Sequence, residues 1–452
     1  MKKIKLFIFI LGVVFVLSSC SKDSEKEQEE SYDSIANETG NEIKLPEGAK
    51  IVENPENFKP VVLDQTYNLE TDTSFFIGAS GGGGMTTDGN TIYLHSFNEI
   101  EILDIQTKSY MNLCNKPQCT HTYTSKDCNG YFLSCGIQYF EGSLYTVKQD
   151  ELWEGDEEVG SEMVLYKISL DGSVKEKVCV LATIYKSDMV AMPDSNGTMS
   201  NSIYWIIHRG YIYYVYDIGT SGLADNTCYN NMSNYISRMK IGKNEKREYI
   251  MPLNKDRMTP ETDMWGYGSY VYFLDIEISI GNGVGYLYRF NTESGEVEKL
   301  PFEKRMVRTY TAWDDFLLYT NIDADGSDTG LYKYNKDGLT EKIMDFADYD
   351  KRFGTLSPIF LFRDTQYIYA TAWVDKEENI TKCIVFDCEG NYISSFDCRI
   401  GDNKAIGLCP IDNKIMFMYT DMSSEWYYFD KEELKTGEIH PIKIIGSETE
   451  EN

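Results

Sequence analysis

A short apolar strand that follows a turn residue returns seven times along this chain, and that recurrence limits the fold more than any other feature. The copies are GNTIYLH around Ile92, EGSLYTV around Leu144, RGYIYYVY around Ile212 and GSYVYFL around Val271, then DDFLLYT around Leu317, DTQYIYAT around Ile368 and DNKIMFMY around Ile415. Each is followed by a second strand pattern that closes in a turn: EIEILDIQTKS, LYKISLDGS, ISRMKIGKN, LYRFNTESGE, LYKYNKDG, CIVFDCEGN and WYYFDKEE. Leu317–Lys342 shows the design at full length, as strand, acidic Gly-containing loop, strand, Asn-Lys-Asp-Gly turn and strand. The steps between anchors are 52, 68, 59, 46, 51 and 47 residues. A period near 50 with three or four strands per unit predicts an all-β chain folded as a β-propeller, because one unit cannot bury both faces and neighbours must stack. An irregular pair of β-sandwiches is the competing arrangement. The anchors count seven blades, and insertions near Met189–Asn201 and Asp217–Asn234, which could conceal strands, leave six or eight open. Phe58–Ile77 either adds a strand to the last blade or caps the first. The 34 Tyr residues and the turn residues every few positions fit all-β composition.

The first twenty residues read differently. Lys2, Lys3 and Lys5 precede an apolar run from Leu6 to Leu17, too short for a comfortable membrane span, and small residues follow. Leu17-Ser18-Ser19-Cys20 resembles the bacterial lipobox, which implies cleavage before Cys20 and a diacylglycerol on its sulfur. Acyl chains at ~0.8 kcal/mol per buried methylene anchor a protein without a spanning helix. The polar stretch that follows cannot bury enough surface to fold and reads as a tether with a reach on the order of 35 Å. The expected layout is a signal peptide over 1–19, lipidated Cys20 and flexible tether over 20–58, propeller over 59–445 and a disordered tail over 446–452. The expected location is the outer face of a bacterial cell membrane. A formal charge of −29, more negative once the leader lysines depart, argues against nucleic acid and anionic bilayers as partners.

The sharpest cluster of chemistry is LCNKPQCTHTYTSKDCNGYFLSCG, where Cys114, Cys119, His121, Cys128 and Cys135 fall within 22 residues between the first two units. Thiolates and imidazole suit Zn²⁺, and four such groups in a short loop can close a tetrahedral shell. Exported proteins also oxidise neighbouring cysteines. A Cys₃His site, a Cys₄ site, two disulfides beside a free His, and free or redox-active thiols all stay open. Cys114-Asn115-Lys116-Pro117-Gln118-Cys119-Thr120-His121 with Asp127-Cys128-Asn129 resembles a segment of uncharacterised propeller lipoproteins of anaerobic Gram-positive bacteria. That likeness implies a surface lipoprotein of unknown role and supplies no catalytic residues; such a habitat favours metal or free thiols. The repeat itself resembles, in weak form, the broad YWTD and Kelch-like class of propellers.

Three further features carry candidate sites. Asn321, Asp323 and Asp325 followed by Gly326 fit N-x-D-x-D-G, which resembles a calcium loop; Asp328 or Thr329 would complete the shell, and the alternative is a solvated acidic hairpin. Trp205, Trp265, Trp313 and Trp373 lie near strand ends, where aromatics either stack on ligands or pack between blades. Gly78–Gly84 lacks the Lys-Ser/Thr of a phosphate loop and reads as close-approach backbone. His occurs only at 95, 121, 208 and 440, and no G-x-S-x-G is present. The functional expectation is therefore a non-catalytic binding or scaffold protein for an extracytoplasmic protein, peptide or glycan. Two alternatives are a carbohydrate-active hydrolase or lyase using funnel carboxylates, and metal binding through the Cys/His loop.

Overall fold

The structure is a computed structural model that describes Ile51–Val52 and most of 84–446. The main gaps lie at 121–127, 132–135, 193–201, 222–227, 254–263, 301–305, 323–329, 346–359, 376–379 and 421–425. All of these described residues belong to the compact unit Lys44–Asn452. Cys20 and Phe58–Ile77 lie outside the described residues.

The chain is an all-β propeller built from antiparallel four-stranded meanders. The first comprises Met85–Thr87, Thr91–Ser96, Glu99–Asp104 and Ser109–Asn112, and the second Gln138–Phe140, Ser143–Glu154, Glu157–Ile168 and Lys175–Tyr185. The third is Ser202–His208, Tyr211–Ser221, Tyr235–Lys240 and Glu248–Pro252, and the fourth Met264–Tyr267, Tyr270–Ser279, Asn282–Asn291 and Val297–Lys299. Met306–Ala312, Phe316–Ile322, Gly330–Asn335 and Thr340–Asp345 make the fifth, and Phe360–Arg363, Tyr367–Asp375, Ile380–Asp387 and Tyr392–Ile400 the sixth. The seventh runs through Asn403–Pro410, Ile415–Thr420, Trp426–Asp430 and Ile442–Gly446. Every anchor of the sequence repeat lies on the second strand of a meander.

Side-chain oxygens explain where the strands stop. Asp88 Oδ1 accepts from the N–H groups of Asn90 and Thr91, each at 2.8 Å, while Oδ2 accepts from the Tyr93 hydroxyl at 3.1 Å. Asp364 repeats the pattern with Gln366, Tyr367 and the Tyr369 hydroxyl. Each carboxylate shapes the turn into the second strand and fixes the tyrosine five residues on. Third strands end in Asx turns at Asp104, Asn291, Asp387 and Asp430, whose side chains take N–H groups two residues ahead.

Neighbouring meanders bury their faces against each other. Tyr93, Ile100 and Leu113 pack on Ile137, Leu144 and Ile168 of the second meander. Trp205, Ile212 and Tyr214 pack on Val147, Leu165 and Leu181. The seventh meander's Trp426, Tyr428 and Ile444 meet Ile92, Leu94 and Leu103 of the first, closing the ring. There Ile445 and Gly446 also pair in parallel with Ser109 and Tyr110. First and last meanders are thus each built from consecutive strands. First strands are further stitched across the ring: Tyr139 N–H donates to Thr86 Oγ1 at 2.9 Å. Gln138 both donates to Ile207 O and accepts from Ile207 N–H, at 2.7 Å each.

One detail differs from the sequence expectation, and one open alternative is decided. Ile51–Val52, expected inside the tether, pairs in parallel with Val297 and Glu298 on the outer edge of the fourth meander. An open edge presents unpaired backbone groups, and two β-branched residues suit it. The insertions in the two long steps do conceal strands, Val190–Met192 and Cys228–Met232, and both extend the third unit's own sheet. Among the described residues no helix is long and apolar enough to cross a membrane.

Candidate functional site

The connection between the first two meanders holds a thiol cluster. Leu113 ends the first meander, its N–H donating to Ile100 O at 2.8 Å, and Ile100 N–H donates to Gly130 O at 2.7 Å. Those bonds bring Cys114 and Cys128 together from opposite ends of the loop. The Lys116–Cys119 turn, with Cys119 N–H donating to Lys116 O at 3.0 Å, returns Cys119 to the same point. The three sulfurs all lie within 4.8 Å of one another. None of the three is in a disulfide; Cys114 and Cys128 are buried and Cys119 is partly exposed.

The second meander clamps this loop. Asn129 Nδ2 donates to Gly172 O at 2.8 Å and Ser173 O at 3.1 Å, and Lys175 Nζ donates to Cys128 O at 2.8 Å. Gly130 passes so close that a Cβ there would lie 3.0 Å from Cys114 N. Backbone amides also point at sulfur. Burial alone would raise the Cys114 thiol, but N–H groups of Lys116 and Asn129 and the neighbouring thiols outweigh it and pull its pKa down. Burial and the adjacent sulfurs push Cys128 up to about 12, against the pull of the Gly130 N–H. The first proton therefore leaves Cys114, and its charge resists loss of the second.

Of the five ligands expected from sequence, the structure gathers Cys114, Cys119 and Cys128; His121 and Cys135 lie outside the described residues. Asp323, Asp325 and Asp328 also lie outside them, and Asn321 falls on the strand Phe316–Ile322 opposite Val307. For two of the tryptophans the packing alternative holds over ligand stacking. Trp205 is 0% exposed and Trp265 7% exposed. Trp205 sits in the core between the second and third meanders, so neither ring offers a face to a ligand. Trp313 lies outside the described residues, and Trp373 falls on the strand Tyr367–Asp375. Cys383 and Cys398 are not in a disulfide and are buried against the seventh meander.

A second feature was missed in the sequence. Strands Ser143–Glu154 and Glu157–Ile168 are each 12 residues long, against six and six for the corresponding first-meander strands, six and five for the seventh-meander ones and ten and ten for those of the fourth. Burial stops halfway along Ser143–Glu154, whose first five residues are buried and whose distal part is not. The hairpin therefore outruns the packed ring. Near its tip Trp153 is 53% exposed, with Nε1 donating to Glu151 Oε2 at 3.1 Å. Its signal was the run ELWEGDEE, a lone Trp among carboxylates where strand alternation would place a polar residue.

No family model matches the chain, and no curated protein does. Solved structures similar to it include the Pyrococcus horikoshii acylaminoacyl peptidase, at 12% identity and TM-score 0.39 over 79% of this chain and 50% of that one. Others are the β-propeller domain of the Trilobed protease from Pyrococcus furiosus (13%, 0.35, 69% and 84%) and the WD40 domain of Toxoplasma gondii coronin (9%, 0.38, 71% and 72%). The chain spans about half the length of the acylaminoacyl peptidase. Likeness this distant carries no argument about activity.

Proposed function

We propose that this chain is a lipid-anchored propeller on the outer face of a bacterial membrane, acting as a non-catalytic binding or scaffold protein. The observation that carries the reading is the projecting second-meander hairpin with its exposed Trp153. A large amphipathic ring on a rigid hairpin binds at low entropy cost, since its backbone is already ordered by paired strands. A Trp indole with flanking carboxylates suits the face of a sugar ring or a cationic peptide segment. Cys20 supplies the anchor in this reading, and the polar segment after it supplies the reach.

The test uses the lipidated chain extracted in detergent and titrated against glycan and peptide panels, with ligand mass followed throughout. The expected result is saturable binding with unchanged ligand mass, weakened at least about tenfold, or ~1.4 kcal/mol, by Trp153→Ala. Release of a cleaved product that vanishes on changing one carboxylate would replace this reading with a hydrolase or lyase.

A further inference from the structure

We infer that Cys114, Cys119 and Cys128 form a three-thiolate site for a soft tetrahedral divalent ion of the zinc class, which closes the connection between the first two meanders. The spacing is the first argument. Zinc–sulfur bonds of about 2.3 Å in a tetrahedron place sulfurs roughly 3.8 Å apart. The three sulfurs already sit within 4.8 Å of one another, so a contraction of about 1 Å or less brings all three to that spacing. A disulfide, by contrast, needs one pair at about 2.05 Å and leaves the third sulfur aside.

The surroundings are the second argument. The N–H groups of Lys116 and Asn129 aim at Cys114 sulfur, and that of Gly130 aims at Cys128 sulfur. Cys114-Asn115-Lys116 and Cys128-Asn129-Gly130 thus present the same turn, in which the amide two residues on donates to the preceding sulfur. Such donors stabilise negative charge on a metal-bound thiolate and fix the direction of its remaining lone pairs. Gly130 is what lets the two turns meet, because a side chain there would press on the Cys114 backbone nitrogen. Sulfur donors select zinc-class ions over calcium and magnesium, which take oxygen.

The position gives the role. Cys128 O is held by Lys175, and Asn129 is held by the turn carbonyls of Gly172 and Ser173. An ion joining Cys114 to Cys119 and Cys128 therefore ties the end of the first meander to the turn of the second. Tetrahedral coordination leaves one position for a further donor beside the three thiolates.

The experiment takes the full chain from membranes in detergent, purified without chelator or reductant. Metal is measured directly, and the stripped protein is then titrated with Co²⁺ as a spectroscopic probe. About one zinc per chain is expected, with a thiolate-to-cobalt absorption that falls in each of Cys114→Ser, Cys119→Ser and Cys128→Ser. Cys119 is the least buried of the three, so Cys119→Ser keeps the test valid where the other variants fail to fold; it should lose more than about a hundredfold in zinc affinity. Cys383→Ser, a buried thiol in another meander, should leave the spectrum unchanged. A disulfide among the three in a non-reducing peptide map would overturn the inference. So would reduced thiols that take up neither ion, or a cobalt spectrum indifferent to Cys119→Ser.

Discussion

Gly172→Ala should destabilise this protein well beyond the ordinary cost of replacing a turn glycine. Gly172 has φ +67°, and a Cβ built there would lie 1.7 Å from Leu113 O and 2.6 Å from Leu113 C. Left-handed backbone costs a non-glycine residue roughly 1–2 kcal/mol. Reaching ordinary contact distance then requires two backbones to part by more than about 1 Å, an overpacking cost of roughly 1–3 kcal/mol. The sum is about 2–5 kcal/mol. Gly155 supplies the control, since its φ is +65° with nothing within 4 Å of a built Cβ. Gly155→Ala should therefore cost only the backbone share, about 1–2 kcal/mol, and the unfolded-state effect of alanine cancels between the two variants. Urea midpoints of both, with slopes compared to check that each unfolds alike, give the difference. Parting Gly172 from Leu113 also strains the Asn129 Nδ2 bond to Gly172 O, so hydrogen exchange across Leu113–Gly130 should quicken in Gly172→Ala alone. Equal losses for the two variants would refute the close approach and, with it, the clamp on the thiol loop.

Lys431 and Asp364 are a buried ion pair, 2% and 0% exposed, that joins the last two meanders, with the Tyr369 hydroxyl on the same carboxylate oxygen. Asp364→Ala strands the ammonium and should cost about 3–5 kcal/mol; Asp364→Ala combined with Lys431→Met should cost less than the single change, and additive losses in urea unfolding would reject the pairing. Burial, then the nearby Glu99, pushes the Glu101 carboxyl up to about 7. A raised carboxyl binds its proton more tightly in the folded state, so its stability contribution is full at pH 4 and lost as pH rises through 7. Glu101→Gln should leave the unfolding midpoint nearly unchanged at pH 4 and raise it at pH 8; a difference that does not vary with pH would rule this out.

Much of the fold was legible because strand period, turn residues and a fixed repeat length are local signals. Ile92, Leu144, Ile212 and the later anchors mark second strands without any knowledge of neighbours. Asp88 and Asp364 were visible only as turn residues. Their grip on Tyr93 and Tyr369 appears once the strand folds back. The candidate site was legible in part. Clustered cysteines announced a loop with chemistry, but sequence proximity left metal, disulfide and free-thiol readings equally drawn from the same letters. Trp205 and Trp265 stayed open between stacking and packing for a complementary reason: a strand-end tryptophan looks alike in sequence whether a neighbouring meander covers it or solvent does. Trp153 escaped notice because its exposure depends on how far one hairpin outruns the ring.

The sequence by itself determined the all-β character, a repeating unit of three or four short strands and the acidic balance, since each rests on residue type and spacing along the chain. Only the tertiary structure decided which thiols meet, which tryptophans are buried and how the ring closes between Ile445–Gly446 and Ser109–Tyr110. Those outcomes depend on contacts between residues tens to hundreds of positions apart, where stacking of whole faces sets the geometry and no local pattern records it.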